Sequence, residues 1–171
     1  MNGSQAVTER GQAFVGVSGF GYPSWRPGFY PESARPPDFL GLYSTRLSSV
    51  ELNATGRRFP SVDQLRRWAN ATPATFKFAV KLTAAVVASP ANAARFCGPV
   101  RSLDGRLGPI LVPLPAIGRH DVELARNLFN ALSSDLRYAV ELKDDAWNSY
   151  AVRELASPTS DFENRRTPAT H

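Results

Sequence analysis

Polar side chains capable of ion pairing or proton transfer lie where predicted strands end. Glu51 and Asn53 alternate along SVELN, Lys81 ends FKFAVK, and Glu141 falls near the end of RYAVEL. Side chains alternate faces along a strand, so each polar residue lies opposite an apolar set. Ligands of parallel α/β folds bind beyond the C-terminal ends of the strands. We therefore expect these residues to converge there, joined by Ser18 at the end of FVGVS.

A glutamate and a lysine that meet in such a cavity have a definite chemistry. Charges there are costly unless they are paired, and the same pair can transfer protons, with lysine as electrophile or anion anchor and glutamate as base. We predict Glu51, Lys81 and Glu141 as catalytic residues and Ser18 and Asn53 as ligand-binding residues. The alternative is that Glu51–Lys81 and Lys81–Glu141 are simply internal salt bridges.

Aromatic side chains flank the same predicted end of the sheet. Tyr22 and Trp25 lie in the loop after FVGVS, and Trp147 follows the last predicted strand. Such rings can stack on a sugar or a base, so all three are predicted to bind ligand. The alternative is that they only cap the end of a barrel.

Metal and cofactor motifs are absent from the sequence. Cys97 is the only cysteine, which excludes an intrachain disulfide and a cysteine-rich zinc site. The only histidines are His120 and His171. The run Gly16–Gly19 is followed by Phe20 and fits neither a dinucleotide-binding fingerprint nor a nucleophile elbow. The sequence predicts no metal and no cofactor.

Predicted strands alternate with predicted helices along the chain. A one-sided apolar stripe predicts a helix over 37–47, and a second helix over 61–71 begins with Ser61 and Gln64 as a capping box. The region 84–103 is partly helical and is broken by Pro90 and Pro99. A further helix covers 121–132, and strands cover 14–18, 49–53, 76–81, 109–114 and 137–142.

This alternation predicts parallel βαβ units and therefore an α/β protein. A closed parallel barrel needs eight strands and about 250 residues, whereas this chain offers five strands in 171 residues. We predict an incomplete TIM-barrel-like parallel β/α fold over residues 13–155. Residues 1–12 are predicted to be a disordered leader and 156–171 a disordered tail.

The chain is basic, with a formal net charge of +5 and a sequence pI of about 9.8. A basic chain can bind nucleic acid, but the arginines are scattered without a run of five like charges, which favours a solvated surface. Because no apolar stretch is long enough to span a membrane and no signal-peptide core is present, we predict a cytoplasmic protein with no membrane contact. The oligomeric state is left open.

Five segments in order resemble one known family. They are VGVSGFGYPSWRPGFYP, SSVELNATGRRFPS, TPATFKFAVK, LGPILVPLP and RYAVELKDDAW. Together, over about residues 14–147, the chain resembles the domain of unknown function 72, the YecE-like family. The resemblance implies a TIM-barrel-like fold and no agreed activity. The matching residues are Ser18, Gly19, Tyr22, Trp25, Tyr30, Glu51, Asn53, Thr55, Lys81, Glu141 and Trp147.

The chain departs from the family pattern at several positions of the predicted mouth. Arg57 replaces an aromatic residue, Ala88 a histidine and Pro113 a glutamine, and 143–146 differ from the family run before Trp147. These departures predict a divergent member, and the missing last strands and helices of the barrel predict that it is C-terminally truncated. The predicted function is to bind or act on a small polar or phosphorylated ligand. The alternatives are a nucleic-acid-binding module and a truncated non-functional fragment.

Overall fold

A computed structural model of the chain describes residues 11–53, 61–114 and 121–143. The predicted leader and tail, Trp147, Thr55 and Arg57 lie outside these residues, apart from the last two positions of the leader. Helices and strands alternate as predicted. The elements are α1 (Phe39–Ser44), β1 (Ser49–Leu52), α2 (Val62–Asn70), β2 (Lys77–Lys81), α3 (Ala84–Ala88), α4 (Ala93–Val100), β3 (Leu107–Leu114), α5 (Asp121–Ala131) and β4 (Tyr138–Leu142).

The described strands form one parallel sheet in the order β1-β2-β3-β4. Each strand therefore pairs with the strand before it, as successive βαβ units require. The register places Glu51 opposite Ala79, Lys81 opposite Leu111, and Pro113 opposite Glu141. The predicted parallel α/β architecture is confirmed.

The two faces of the sheet differ in the way that the alternation predicts. Buried apolar side chains on one face include Val50, Leu52, Phe78, Val80 and Ile110, each at most 1% exposed. They pack in a common core with the helices. The opposite face carries the half-buried Glu51, Lys77, Ala79, Lys81, Leu111 and Glu141, and it is the face on which the predicted site lies.

The first predicted strand, 14–18, joins the sheet at only one bridge, between Ser18 and Glu51. The Tyr43 hydroxyl explains why regular pairing does not extend to the residues before Ser18. It accepts a hydrogen bond from the Val17 N–H at 2.9 Å and donates one to the Ser49 carbonyl at 2.9 Å. It thus stands between two backbone groups that would otherwise bond directly in a parallel ladder. Five strands were predicted, and the described residues form four plus this bridged segment.

Glycine at position 16 is required by the same close approach. A Cβ placed on Gly16 would collide with the Ser49 carbonyl group. On the N-terminal side of Gly16, the Val15 carbonyl accepts hydrogen bonds from the N–H groups of Ser48 and Ser49 at 3.0 and 3.1 Å. The segment is therefore held against β1 by backbone contacts on both sides of Gly16.

Helix boundaries follow the predicted capping and proline signals. Ser61 caps α2, accepting a hydrogen bond from the Gln64 N–H at 3.2 Å. Pro90 begins a short 3-10 helix after α3, and Pro99 lies in the last turn of α4, which ends one residue later. A proline lacks the N–H that an interior helical residue donates, so both prolines limit the helices around them.

No helix among the described residues is long and apolar enough to cross a membrane.

Candidate functional site

The Lys81 and Glu141 side chains form an ion pair on the half-buried face, with Nζ and Oε2 3.1 Å apart. The lysine ends β2 and the glutamate lies near the end of β4, so the pair reaches across β3. The side chains are 28% and 38% exposed, which leaves both within reach of a small molecule. The predicted Lys81–Glu141 contact is present.

A second polar group lies beside β1. The Ser18 hydroxyl donates to Glu51 Oε1 at 3.3 Å, and the Asn53 amide donates to the Ser18 hydroxyl oxygen. The three residues form a chain in which an amide, a hydroxyl and a carboxylate are bonded in sequence. Such a chain polarises the hydroxyl toward the carboxylate.

The two groups lie at the same end of the sheet. Leu52 is opposite Val80 in the parallel register, so the next residues along, Asn53 and Lys81, are neighbours across two adjacent strands. Adjacent strands are separated by about 4.8 Å. Ser18, Glu51, Asn53 and Lys81 therefore lie at the same end of the sheet. Glu141 lies two strands from Lys81, on β4.

The turn after Ser18 is fixed by a glycine and a tyrosine. Gly19 adopts the left-handed conformation with φ of 76°, which glycine tolerates without steric cost. The Tyr22 hydroxyl folds over it and donates to the Ser18 carbonyl at 2.8 Å, where a Cβ on Gly19 would be 2.7 Å from that hydroxyl. Tyr22 is thus adjacent to the site and holds its backbone.

Trp25 lies in an aromatic cluster behind this turn. Its ring centroid is 4.7 Å from that of Tyr22 and 5.2 Å from that of Phe29. Tyr30 and Tyr43 are fully buried against it, and burial raises the pKa of Tyr30 to about 12. The tryptophan is partly exposed, so packing and ligand contact are both open to it. The predicted ligand contact of Trp25 stays a prediction.

The two groups together offer both hydrogen-bond donors and acceptors. The glutamate carboxylates accept, the Lys81 ammonium and the Asn53 amide donate, and the Ser18 hydroxyl does either. A ligand that carries hydroxyl groups together with an anionic or carbonyl oxygen would match this pattern. Carboxylates near such a ligand can also serve as bases.

Metal binding is not suggested by the geometry of the described residues. Within them, no group of three or more His, Cys, Asp or Glu side chains is placed to hold an ion.

Two arginines donate hydrogen bonds to carbonyl groups of the chain itself. Arg106 donates to the Thr72 and Pro73 carbonyls at 3.3 and 3.0 Å, and Arg26 donates to the Ala34 carbonyl at 3.0 Å. Such guanidinium groups have fewer donors left for phosphates. Nucleic-acid binding stays a prediction from charge.

One polar cluster was not found from the sequence. The Arg101 guanidinium donates two hydrogen bonds to the Asp135 carboxylate, at 3.1 and 2.7 Å, and one to the Ser133 hydroxyl at 2.6 Å. It joins the end of α4 to the turn before β4. The hydrogen bonds from Arg101 hold the pKa of the Asp135 carboxyl well below its usual range. We call Arg101, Ser133 and Asp135 the structural clamp, because their hydrogen bonds hold the end of α4 against the turn before β4.

Comparison with known proteins identifies relatives of the fold. A family model described as "Protein of unknown function DUF72" matches residues 14–161. No curated protein matches the chain in sequence. A solved DUF72 family protein of Thermotoga maritima MSB8 superposes with a TM-score of 0.66 at 24% identity, over 89% of this chain and 68% of that one.

A DUF72 family protein of Enterococcus faecalis V583 is also similar, with TM-scores of 0.65 and 0.61 in two crystal structures at 16% and 17% identity. The superposition covers 83% of this chain and 55% or 56% of the other, so this chain spans little more than half the length of that protein. At these identities the likeness shows the fold alone. The predicted TIM-barrel-like architecture and the predicted family are confirmed.

Proposed function

Because this chain belongs to the DUF72 family of proteins of unknown function, we propose from its own residues that it binds a small polar molecule at the carboxyl ends of its strands. Lys81 anchors an anionic or carbonyl oxygen of the ligand, and Glu51 and Glu141 accept hydrogen bonds from its hydroxyl groups. Ser18 and Asn53 orient the ligand. Glu51 and Glu141 are the candidate bases for any reaction there.

The observation that carries the proposal is the Lys81–Glu141 ion pair, held open to solvent beside a hydrogen-bonded Ser18–Glu51–Asn53 group. An ion pair that is partly open to solvent gains little stability from its Coulomb attraction, and burying part of each charge has a cost, so stability alone is a weak reason to place two charges on this face. A ligand that replaces one partner of the pair gains a charge-assisted hydrogen bond in its place.

The charge of the site distinguishes two classes of ligand. A phosphorylated molecule must compete with Glu141 for Lys81, whereas a neutral sugar can bind both members of the pair at once. Ribose 5-phosphate and ribose are therefore suitable probes, since only the first carries a phosphate. Removing the Glu141 charge should favour the phosphorylated probe and weaken binding of the neutral one.

The experiment titrates the full chain with each probe by calorimetry and compares Lys81→Met with Lys77→Met. Lys77 lies on the same strand and face but bonds the Gly105 carbonyl at the other end, so it is a matched control. A hydrogen bond to a charged group contributes about 1.5–3 kcal/mol. We expect Lys81→Met to weaken binding about tenfold or more and Lys77→Met to leave it unchanged.

Two results would contradict the proposal. One is the absence of binding of either probe to the wild-type chain. The other is an equal loss of affinity in both lysine variants, which would assign the effect to net charge rather than to the site.

A further inference from the structure

The chain has three lysines, and they differ in what surrounds the amine. The Lys77 ammonium donates to the Gly105 carbonyl where β2 begins, and Lys143 is exposed just beyond the end of β4. In the part of the chain that the structure describes, Lys81 is the only lysine in an ion pair. A base in contact with an amine activates it, because the amine attacks only after it has lost a proton. Lys81 is therefore the lysine best equipped to attack a carbonyl carbon.

The geometry of the Lys81–Glu141 pair suits proton transfer. Hydrogen-bond reach for a catalytic base is about 2.6–3.2 Å, and Lys81 Nζ lies 3.1 Å from Glu141 Oε2. The two side chains are 28% and 38% exposed, so a small carbonyl compound can approach the amine from solvent. Glu141 can thus take a proton from the ammonium of Lys81 while such a molecule is bound.

Groups that recognise hydroxyls lie next to this amine. Asn53 is the neighbour of Lys81 on the adjacent strand, as the register of Leu52 opposite Val80 requires. Its amide bonds to Ser18, which in turn bonds to the Glu51 carboxylate. A carbonyl compound with a hydroxyl on the next carbon can bond to this group while its carbonyl carbon faces Lys81. The arrangement therefore favours α-hydroxy aldehydes, which are the open-chain forms of simple sugars.

We propose that Lys81 forms an imine with an α-hydroxy aldehyde and that Glu141 transfers the protons. The inference rests on the proposed function, since the same site must bind the same kind of molecule. Glu141 takes one proton from the ammonium, and the nitrogen lone pair forms a bond to the carbonyl carbon as the C=O π pair moves to oxygen. That oxygen takes a second proton from nitrogen, which gives a carbinolamine. Glu141 returns its proton to the carbinolamine hydroxyl, which leaves as water while the nitrogen lone pair forms the C=N bond.

The charge of the site is the same before and after this reaction. An ammonium and an aldehyde become an iminium and a water molecule, and no oxidant or reductant is needed. The iminium carries the same single positive charge as the ammonium, so the Glu141 carboxylate keeps a cationic partner. No unpaired charge is left on the half-buried face, where it would be costly.

The experiment treats the full chain with D-glyceraldehyde in the presence of sodium cyanoborohydride, whose hydride reduces an imine to a stable secondary amine. Peptide mapping by mass spectrometry then gives the rate of labelling at each lysine in the same sample. Lys143 reports an exposed lysine, and Lys77 reports a half-buried lysine on the same face as Lys81. Propanal, which has the same carbon chain and no hydroxyl groups, is the matched aldehyde.

We expect glyceraldehyde to label Lys81 at least about tenfold faster than Lys77 and Lys143, because general acid–base catalysis contributes about 10²–10⁴-fold. The preference for Lys81 should be several-fold smaller with propanal. Glu141→Gln should slow labelling at Lys81, whereas Glu123→Gln, an equal loss of charge at an exposed position of α5, should not. Removing a negative charge beside an ammonium favours the neutral amine and alone would speed the attack, so slower labelling assigns the proton transfer to Glu141.

The imine is ruled out if the wild-type chain is labelled equally at its three lysines, a measurement that depends on no variant. It is also ruled out if Glu141→Gln is labelled at Lys81 as fast as the wild type, and the hydroxyl recognition is ruled out if propanal shows the same preference. Calorimetric titration with ribose separates this inference from the proposed function. Binding of ribose without preferential labelling of Lys81 overturns the imine alone, whereas the absence of both overturns the proposed function as well.

Discussion

Removing the Tyr43 hydroxyl tests whether one side chain completes the junction between the first segment and β1. Tyr43→Phe deletes the oxygen that accepts from the Val17 N–H and donates to the Ser49 carbonyl, each at 2.9 Å. The ring stays in place against its aromatic neighbours, so the variant leaves the packing of the core intact. The change isolates two hydrogen bonds.

The expected loss follows from the groups left behind. A buried polar group without a partner costs about 1–3 kcal/mol. Val17 is 45% exposed, so water can reach its N–H group, and the penalty falls mainly on the Ser49 carbonyl. We therefore expect the free energy of unfolding to fall by about 1–3 kcal/mol in total rather than by twice that amount.

Tyr30→Phe is the matched control. The Tyr30 hydroxyl is as buried and donates a single bond, to the Phe20 carbonyl at 2.6 Å. Urea unfolding of both variants gives the difference in stability, and we expect losses of similar size, since each variant leaves one backbone carbonyl without its donor. Amide hydrogen exchange at Val17 should also become faster in Tyr43→Phe and stay unchanged in Tyr30→Phe.

The reasoning would be refuted by a Tyr43→Phe chain as stable as the wild type with a Val17 amide that is still protected. In that case the segment would have moved to bond Ser49 directly, and the hydroxyl would not be what interrupts the ladder.

Three further predictions concern single positions. Gly19→Ala should lower the free energy of unfolding by about 1–2 kcal/mol or more, because φ of 76° disfavours any side chain and the new Cβ meets the Tyr22 hydroxyl. Urea unfolding measures the change, and an unchanged midpoint would contradict this. Asp104→Gly should raise the free energy of unfolding by about 1 kcal/mol, since Asp104 has φ 47° and ψ −135°, a region that glycine adopts with less strain. Thermal unfolding measures this change in stability, and a variant less stable than the wild type would refute the prediction. The Asp135 carboxyl has a lowered pKa, through its hydrogen bonds from Arg101 first and Ser133 second. Because its folded pKa lies below the unfolded value of about 3.9, it stabilises the fold above that pH and ceases to do so as the pH falls. Asp135→Asn should therefore flatten the dependence of stability on pH below about pH 4, and equal slopes in acid titrations of both proteins would count against the clamp.

The elements could be predicted from the sequence because their signals are local. Alternation in FKFAVK gave the strand and its faces, and Ser61 with Gln64 gave the start of α2, since these patterns depend on neighbours within four residues. The segment 14–18 was predicted as a strand, but it pairs with β1 only through one bridge, between Ser18 and Glu51. That irregularity depends on Tyr43, which the helical stripe identified only as an apolar position.

The candidate site was predictable to the level of shared faces. Alternation placed Lys81 and Glu141 on one face, and the structure pairs them. The hydrogen bond between Ser18 and Glu51 was harder to predict. The two residues are 33 positions apart, and their contact depends on the register between the first segment and β1. Arg101 and Asp135 were not linked at all, since they are 34 residues apart and neither lies in a motif.

The order of the sheet has a consequence for how the chain acquires its structure. Successive strands begin roughly 30 residues apart along the chain and each pairs with its immediate predecessor. Each of the described strands can thus add to a surface that earlier residues have already formed, and no pairing among these strands waits for a distant part of the sequence. Chain segments emerge from the ribosome in the same order. The sheet is therefore suited to grow strand by strand during synthesis, with β1 as its template and the contact range of each step held short.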